Sequence, residues 1–143
     1  DVVADQHGQP TWARALARQL AALGRAALAG RVPAGVYHGT AAGHTTWCGL
    51  AREVFRLSGL DPERIRPVGS EKFPRPAARP TFGVLGHGKW PRAGLPPLPP
   101  WDDQLAAALR TPAFAALADA ARPGGAPSAD LRENRATTGT RGS

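Results

Sequence analysis

One cysteine, Cys48, one tyrosine, Tyr37, no methionine and almost no lysine set the first limits on this 143-residue sequence. A single thiol excludes an intrachain disulfide and fits a reducing cytoplasm, where we expect the protein to act. No stretch is long and apolar enough to span a membrane, so no membrane partner is expected. The first residues, Asp1-Val2-Val3-Ala4-Asp5, carry no basic region, hydrophobic run or cleavage site. Without an initiator methionine, the chain reads as starting inside a longer protein.

What is abundant is alanine, arginine, glycine and proline. An apolar fraction of 42% supports a core, while 15 prolines and 17 glycines dictate many turns and short elements. The net charge of +7 could attract an anion, but the arginines form no block. They are scattered at Arg14, Arg18 and Arg25, at Arg75 and Arg79, and at Arg122, Arg132, Arg135 and Arg141. No compact basic stripe with interleaved aromatics exists, so nucleic acid is not an expected partner.

Along the chain, Val2-Val3-Ala4 reads as the end of a strand and Asp5 to Pro10 as a loop. Thr11 is the expected N-cap of a first helix. Leu16, Leu20, Leu23 and Ala27 predict its buried face, and Gly30 its end. Gly35-Val36-Tyr37-His38 reads as a short strand, followed by a flexible loop over 39–43. Thr45 or Thr46 is expected to cap a second helix whose buried stripe is Trp47, Leu50, Ala51, Val54 and Phe55, closed by Gly59. Ile65 to Val68 fits a short strand, at an edge because of Pro67. Phe73 to Pro80 holds three prolines and two arginines and predicts a stiff, extended arm. Thr81 to Leu85 reads as a strand and Leu95 to Pro100 as a proline-rich connector. Trp101 to Leu109 predicts a helix with Asp102 and Asp103 in its first turn. Thr111-Pro112 ends it and starts another through about Ala121; from Pro123 onward the polar sequence predicts disorder.

Few residues offer chemistry. Gly83 to Lys89 has phosphate-loop spacing, but Trp90 stands where the metal-binding hydroxyl belongs, so a turn into a short helix is the better reading. Gly35, Gly39 and Gly43 do not spell a dinucleotide fingerprint, and loop flexibility accounts for them. His7, His38, His44 and His87 are too dispersed for zinc, and no metal site is read. Cys48 is expected as a small packed residue. Tyr37 has Ala41 four positions on, so the YxxxK pair of a short-chain reductase is absent. No catalytic and no cofactor-binding residue is therefore assigned to this chain.

The order of local motifs says more. Asp5-Gln6-His7-Gly8-Gln9-Pro10-Thr11 resembles the DQxGxPT segment of dTDP-4-dehydrorhamnose reductases. Gly35-Val36-Tyr37-His38 resembles their GxYH strand, and Thr45-Thr46-Trp47 with Leu50-Ala51 and Phe55 their TSW-to-FA helix. Phe73 to Pro80 resembles their YPTPAxRP arm, and Val84-Leu85, Leu95 to Pro99, Trp101 and Leu105 their closing VL…LP…W…L pattern. Phe73, Arg75 and the Gly86-His87-Gly88-Lys89 turn depart from the commoner residues.

The resemblance implies an α/β fold: the carboxy-terminal portion of an extended short-chain reductase, with short strands and helices completing a Rossmann-type fold and a small substrate-binding subdomain. Residues 1–122 would form that portion and 123–143 a disordered tail. It implies NADPH-dependent reduction of the C4 ketone of a dTDP-4-keto-6-deoxy sugar. The NADPH site would lie in an amino-terminal Rossmann domain outside this chain, which alone would be inactive. The family leaves Mg2+ and a homodimer open, with no site for the ion identifiable here. A non-catalytic sugar-nucleotide-binding or regulatory subunit of the same fold is the alternative. The substrate-binding candidates are Arg79, Arg75, Trp47 and Gln6. A guanidinium on a proline-stiffened arm suits a diphosphate. Trp47 either packs in its helix's stripe or lines the sugar pocket, and the shared stripe favours packing.

Overall fold

The computed structural model describes residues 1–74, 76–77 and 79–115. The chain divides into two units, Asp1–Ala107 and Ala108–Ser143, and the architecture below belongs to the first. Arg75, the expected helix end over 116–121 and the polar tail lie outside the described residues.

Short strands meet in pairs. β1 (Val2–Val3) runs parallel to β5 (Pro67–Val68), and β3 (Ala41–Ala42) parallel to β6 (Leu98–Pro100). β2 (His7–Gly8) runs antiparallel to β4 (Thr45–Thr46). In the first pair Val2 N–H donates to Arg66 O at 2.8 Å and Ala4 N–H to Val68 O at 2.9 Å. The carbonyls on either side of Pro67, those of Arg66 and Val68, accept these bonds, so Pro67, which has no N–H, is tolerated there.

Two expectations exchange places around β2. The segment expected as a loop contains β2, while Thr81 to Leu85 contributes only an isolated bridge between His7 and Phe82. His7 N–H donates to Thr81 O at 2.7 Å and Gly83 N–H to His7 O at 2.9 Å. Beyond that point a side chain replaces the ladder. The Gln9 amide donates to Ala41 O at 3.0 Å and to Leu85 O at 3.2 Å, and accepts from Leu85 N–H at 2.7 Å. The proline-rich connector likewise contains β6.

Helix α1 spans Ala13–Leu28 with Trp12 as its N-cap. Thr11 does not cap it. The Thr11 hydroxyl donates to Gln9 O at 2.9 Å and accepts from Ala41 N–H at 3.0 Å. Buried Gln104 instead accepts from Trp12 N–H at 3.1 Å and donates to Pro99 O at 2.7 Å. The inward face of α1 runs through Leu16, Gln19, Leu23 and Ala26; Leu20 and Ala27 are exposed, one position off the expected stripe. Gln19 turns inward because its amide reaches Pro96 O.

Helix α2 spans Trp47–Leu57, and the Thr46 hydroxyl caps it by accepting from Gly49 N–H at 3.0 Å. Cys48 is buried in this helix, whereas Trp47 is 55% exposed and leaves the expected stripe. Residue 47 is the first of the helix, so its side chain reaches past the helix end rather than onto the face below it. Both helices close as expected on a left-handed glycine, Gly30 at φ 67° and Gly59 at φ 71°. Arg31 N–H returns to Ala26 O and Leu60 N–H to Phe55 O, the paired closure that such a glycine permits.

No strand forms over residues 35–38. The His38 carbonyl is instead taken by a side chain, with Trp90 Nε1–H donating to it at 2.8 Å. Trp90 lies in α3 (Lys89–Arg92), the short helix expected after the Gly83–Lys89 turn, and it is 1% exposed. Gly39 is a packing position as well as a loop residue, since a Cβ there would stand 2.7 Å from Leu16 Cδ1. The described residues of the arm form neither helix nor strand, with bends at Phe73, Pro76 and Ala77 in place of one extended run. Helix α4 covers Trp101–Leu109 as expected.

Candidate functional site

Two open clefts adjoin the same three side chains. The larger chamber, about 640 Å³, is lined by β1, Gln6, Trp47, Ser70, Glu71, Phe73 and Arg79 among others. The smaller, about 310 Å³, is lined by β2, Gln9, Thr45, Thr46, Trp47, Leu50 and, again, Gln6 and Arg79. Gln6, Trp47 and Arg79 are thus brought to one place from three separated segments. Arg75, the fourth candidate, lies outside the described residues.

Each wall has a local cause. Gln6 sits between β1 and β2, whose different partners turn the chain there. Trp47 stands at the start of α2, where the Thr46 cap fixes the helix entry. Arg79 precedes Pro80 and the His7–Phe82 bridge, which holds the end of the arm beside β2.

The electrostatics are simple. Asp1 is spent on Arg66 at 3.1 Å and Lys72 at 2.6 Å. Glu71 and Arg79 make no ion pair among the described residues. Behind the chamber, Asp5 accepts from Ser70 N–H and from Ser70 Oγ–H, both at 2.9 Å. The Ser70 amide, and then its hydroxyl, hold the Asp5 carboxyl below its ordinary value of 3.8. This link ties the β1–β2 junction to the 3-10 turn Ser70–Lys72, from which the arm departs. Sequence reasoning missed Asp5, Ser70, Gln9 and Glu71. Gln9 and Asp5 lie inside a recognised motif, but their partners are 76 and 65 residues away and leave no local periodicity.

Two adjoining, mainly apolar chambers, the larger of them the richer in polar lining, are joined by an amide, an indole and a guanidinium and suit a ligand with distinct halves. The described residues do not fit a dinucleotide. No strand among them passes into a helix through a glycine-rich turn of the phosphate-cradling kind. No three His, Cys, Asp or Glu side chains gather among them either, so none is assigned to Mg2+.

Short strands, capped helices and clefts walled by loop residues define an α/β binding module. Residues 1–113 match the family described as RmlD substrate binding domain, and the chain belongs to that family. It is 59% identical over 100 residues to the dTDP-4-dehydrorhamnose reductase of Streptomyces griseus, covering 70% of this chain and 33% of that protein. It is 49% identical over 109 residues to the dTDP-4-keto-6-deoxy-D-glucose reductase of Streptomyces niveus, covering 76% of this chain and 36% of that one. A solved dTDP-4-dehydrorhamnose reductase from Bacillus anthracis, in complex with NADP, superposes with a TM-score of 0.62 at 29% identity, over 73% of this chain and 34% of that one. The chain spans about a third of the length of the curated relatives it matches. The fold is therefore the α/β fold of that substrate-binding family, shared with part of a solved dTDP-4-dehydrorhamnose reductase. No helix among the described residues is long and apolar enough to cross a membrane.

Proposed function

We propose that this chain is the substrate-binding part of an NADPH-dependent reductase that acts on the C4 ketone of a dTDP-4-keto-6-deoxy sugar. The observation that carries the proposal is the convergence of Gln6, Trp47 and Arg79 on two adjoining clefts. Family membership supplies the substrate class: two relatives bear the names of dTDP-sugar reductases. Their sugars differ, so dehydrorhamnose and a close analogue both belong within the proposal.

The roles follow from chemistry. Arg79 offers a planar fork of donors to the diphosphate. The exposed face of Trp47 offers an apolar wall that a sugar or base can cover. Gln6 can donate to and accept from hydroxyl or carbonyl groups. The hydride and the carbonyl proton would come from the remainder of the enzyme, where NADPH would bind.

Calorimetric titration of the complete enzyme with the dTDP-sugar tests this reading. Arg79→Ala is expected to raise Kd at least tenfold, which corresponds to about 1.4 kcal/mol, and to leave NADPH binding nearly unchanged. Normal binding in Arg79→Ala together with loss in Arg75→Ala would move the role to Arg75. Normal binding in both would make the arm structural.

A further inference from the structure

A third cleft, of about 390 Å³, lies between the carboxy-terminal half of α1 and the end of α3. Arg25, Arg31 and Arg92 line it, over a floor that includes Ala22, Ala93 and Gly94. It shares no lining residue with either chamber described above. No acidic side chain lines it, and none of the three arginines forms an ion pair among the described residues.

Helix chemistry accounts for part of this. Arg25 lies in the last turn of α1 and Arg92 in that of α3, where cations offset the exposed carbonyls. A helix end carries roughly half a negative charge, and a helix of four residues, such as α3, much less than a long one. Arg31 lies beyond α1 altogether. A positive excess therefore remains in a concave site, and like charges held together are relieved by an anion.

We propose that this cleft is an anion site that takes the phosphate groups of a di- or triphosphate. Its volume is that of a small-molecule site, which three guanidinium forks can fill with charge-assisted bonds to phosphate oxygens. No aromatic side chain lines it, so there is no platform for stacking a base. Recognition is of the phosphates, whether they come from a nucleotide or from free polyphosphate.

The test is calorimetric titration of inorganic pyrophosphate into the full-length protein, with the main chambers saturated by thymidine diphosphate and the dinucleotide site by NADP. One further binding event is expected, weakening as salt is raised. It should weaken at least tenfold in Arg25→Ala/Arg92→Ala and in Arg31→Ala, and persist in Arg79→Ala. Replacing all three arginines by lysine keeps the charge and should still weaken it, because the fork is lost; this variant decides if an alanine variant does not fold. Adenosine triphosphate should bind within about threefold of pyrophosphate. No event in the parent protein, an event unchanged in the Arg25, Arg31 and Arg92 variants, or one lost in Arg79→Ala would overturn the inference. Binding of the nucleotide without binding of pyrophosphate would also overturn it, by placing recognition on the base.

Discussion

Trp47 and Trp90 differ in accessibility, and each position carries a different energy. A fully packed indole truncated to alanine costs about 3–5 kcal/mol through lost contacts and a cavity. Trp47 is 55% exposed, so Trp47→Ala should change stability by less than about 1 kcal/mol while weakening dTDP-sugar binding in the complete enzyme. Chemical denaturation and titration of the same variant check both halves, and a large stability loss with normal binding would return Trp47 to the core. Asp5 makes a pH-dependent contribution. Hydrogen bonds from Ser70 depress its folded pKa, so the stabilisation is present above the ordinary value of 3.8 and is lost as pH falls through that value and below it. The stability gap between the parent protein and Asp5→Asn should therefore be widest near neutrality and close on acidification; a gap that stays constant would mean that the charge is not what Ser70 stabilises.

The elements show why some of the fold was legible and some not. The two long helices were read because periodicity and capping are local signals: Thr46 and the glycines at 30 and 59 act within a turn of themselves. The β1, β5 and α4 segments were read for the same kind of reason. The expected strand at residues 35–38 failed because apolar composition does not supply a partner, and the Trp90 side chain took the His38 carbonyl instead. The β2 and β6 strands were missed because each is two or three residues long and exists only through a distant partner. At the site, the motif order singled out Gln6, Trp47 and Arg79, but not the Asp5 and Gln9 contacts behind them. The helix α3 tests this distinction. Four residues cannot sustain a helix by propensity, so α3 depends on buried Trp90 and its bond to His38 O. Trp90→Phe keeps most of the packing but strands that carbonyl, and should cost about 1–3 kcal/mol. Hydrogen exchange should then rise first at Ala93 and Leu95, whose amides close the helix; an unchanged exchange pattern would show that packing alone holds it.

At the scale of the whole molecule, the described residues leave large apolar groups and short strands uncovered. Residues 1–143 offer no cradle for a dinucleotide among those described and no YxxxK pair, so the isolated chain should not oxidise NADPH with any dTDP-4-keto sugar. Absorbance of NADPH measures this, and turnover above background would show the chemistry to be misread. Its stability follows from what it buries. Among the described residues of Asp1–Ala107 the buried apolar ones are Ala26, Ala41, Cys48, Trp90, Ala93 and Leu98, of which only Trp90 and Leu98 are large. Leu28 at 92%, Val36 at 72% and Phe82 at 60% exposure leave large apolar groups in water. The strand pairs are too short to stand as independent sheets, and two of them are parallel, a pairing found where both faces are covered. Small buried side chains return little transfer energy against about 1–2 kcal/mol of backbone entropy per ordered residue. The isolated chain is therefore expected to melt over a broad range or to aggregate, and to unfold cooperatively only when joined to the reductase domain that the proposed function requires. Calorimetry of both forms at matched concentration decides the matter. A sharp, reversible transition of soluble monomeric residues 1–143 would show that this portion completes its own core.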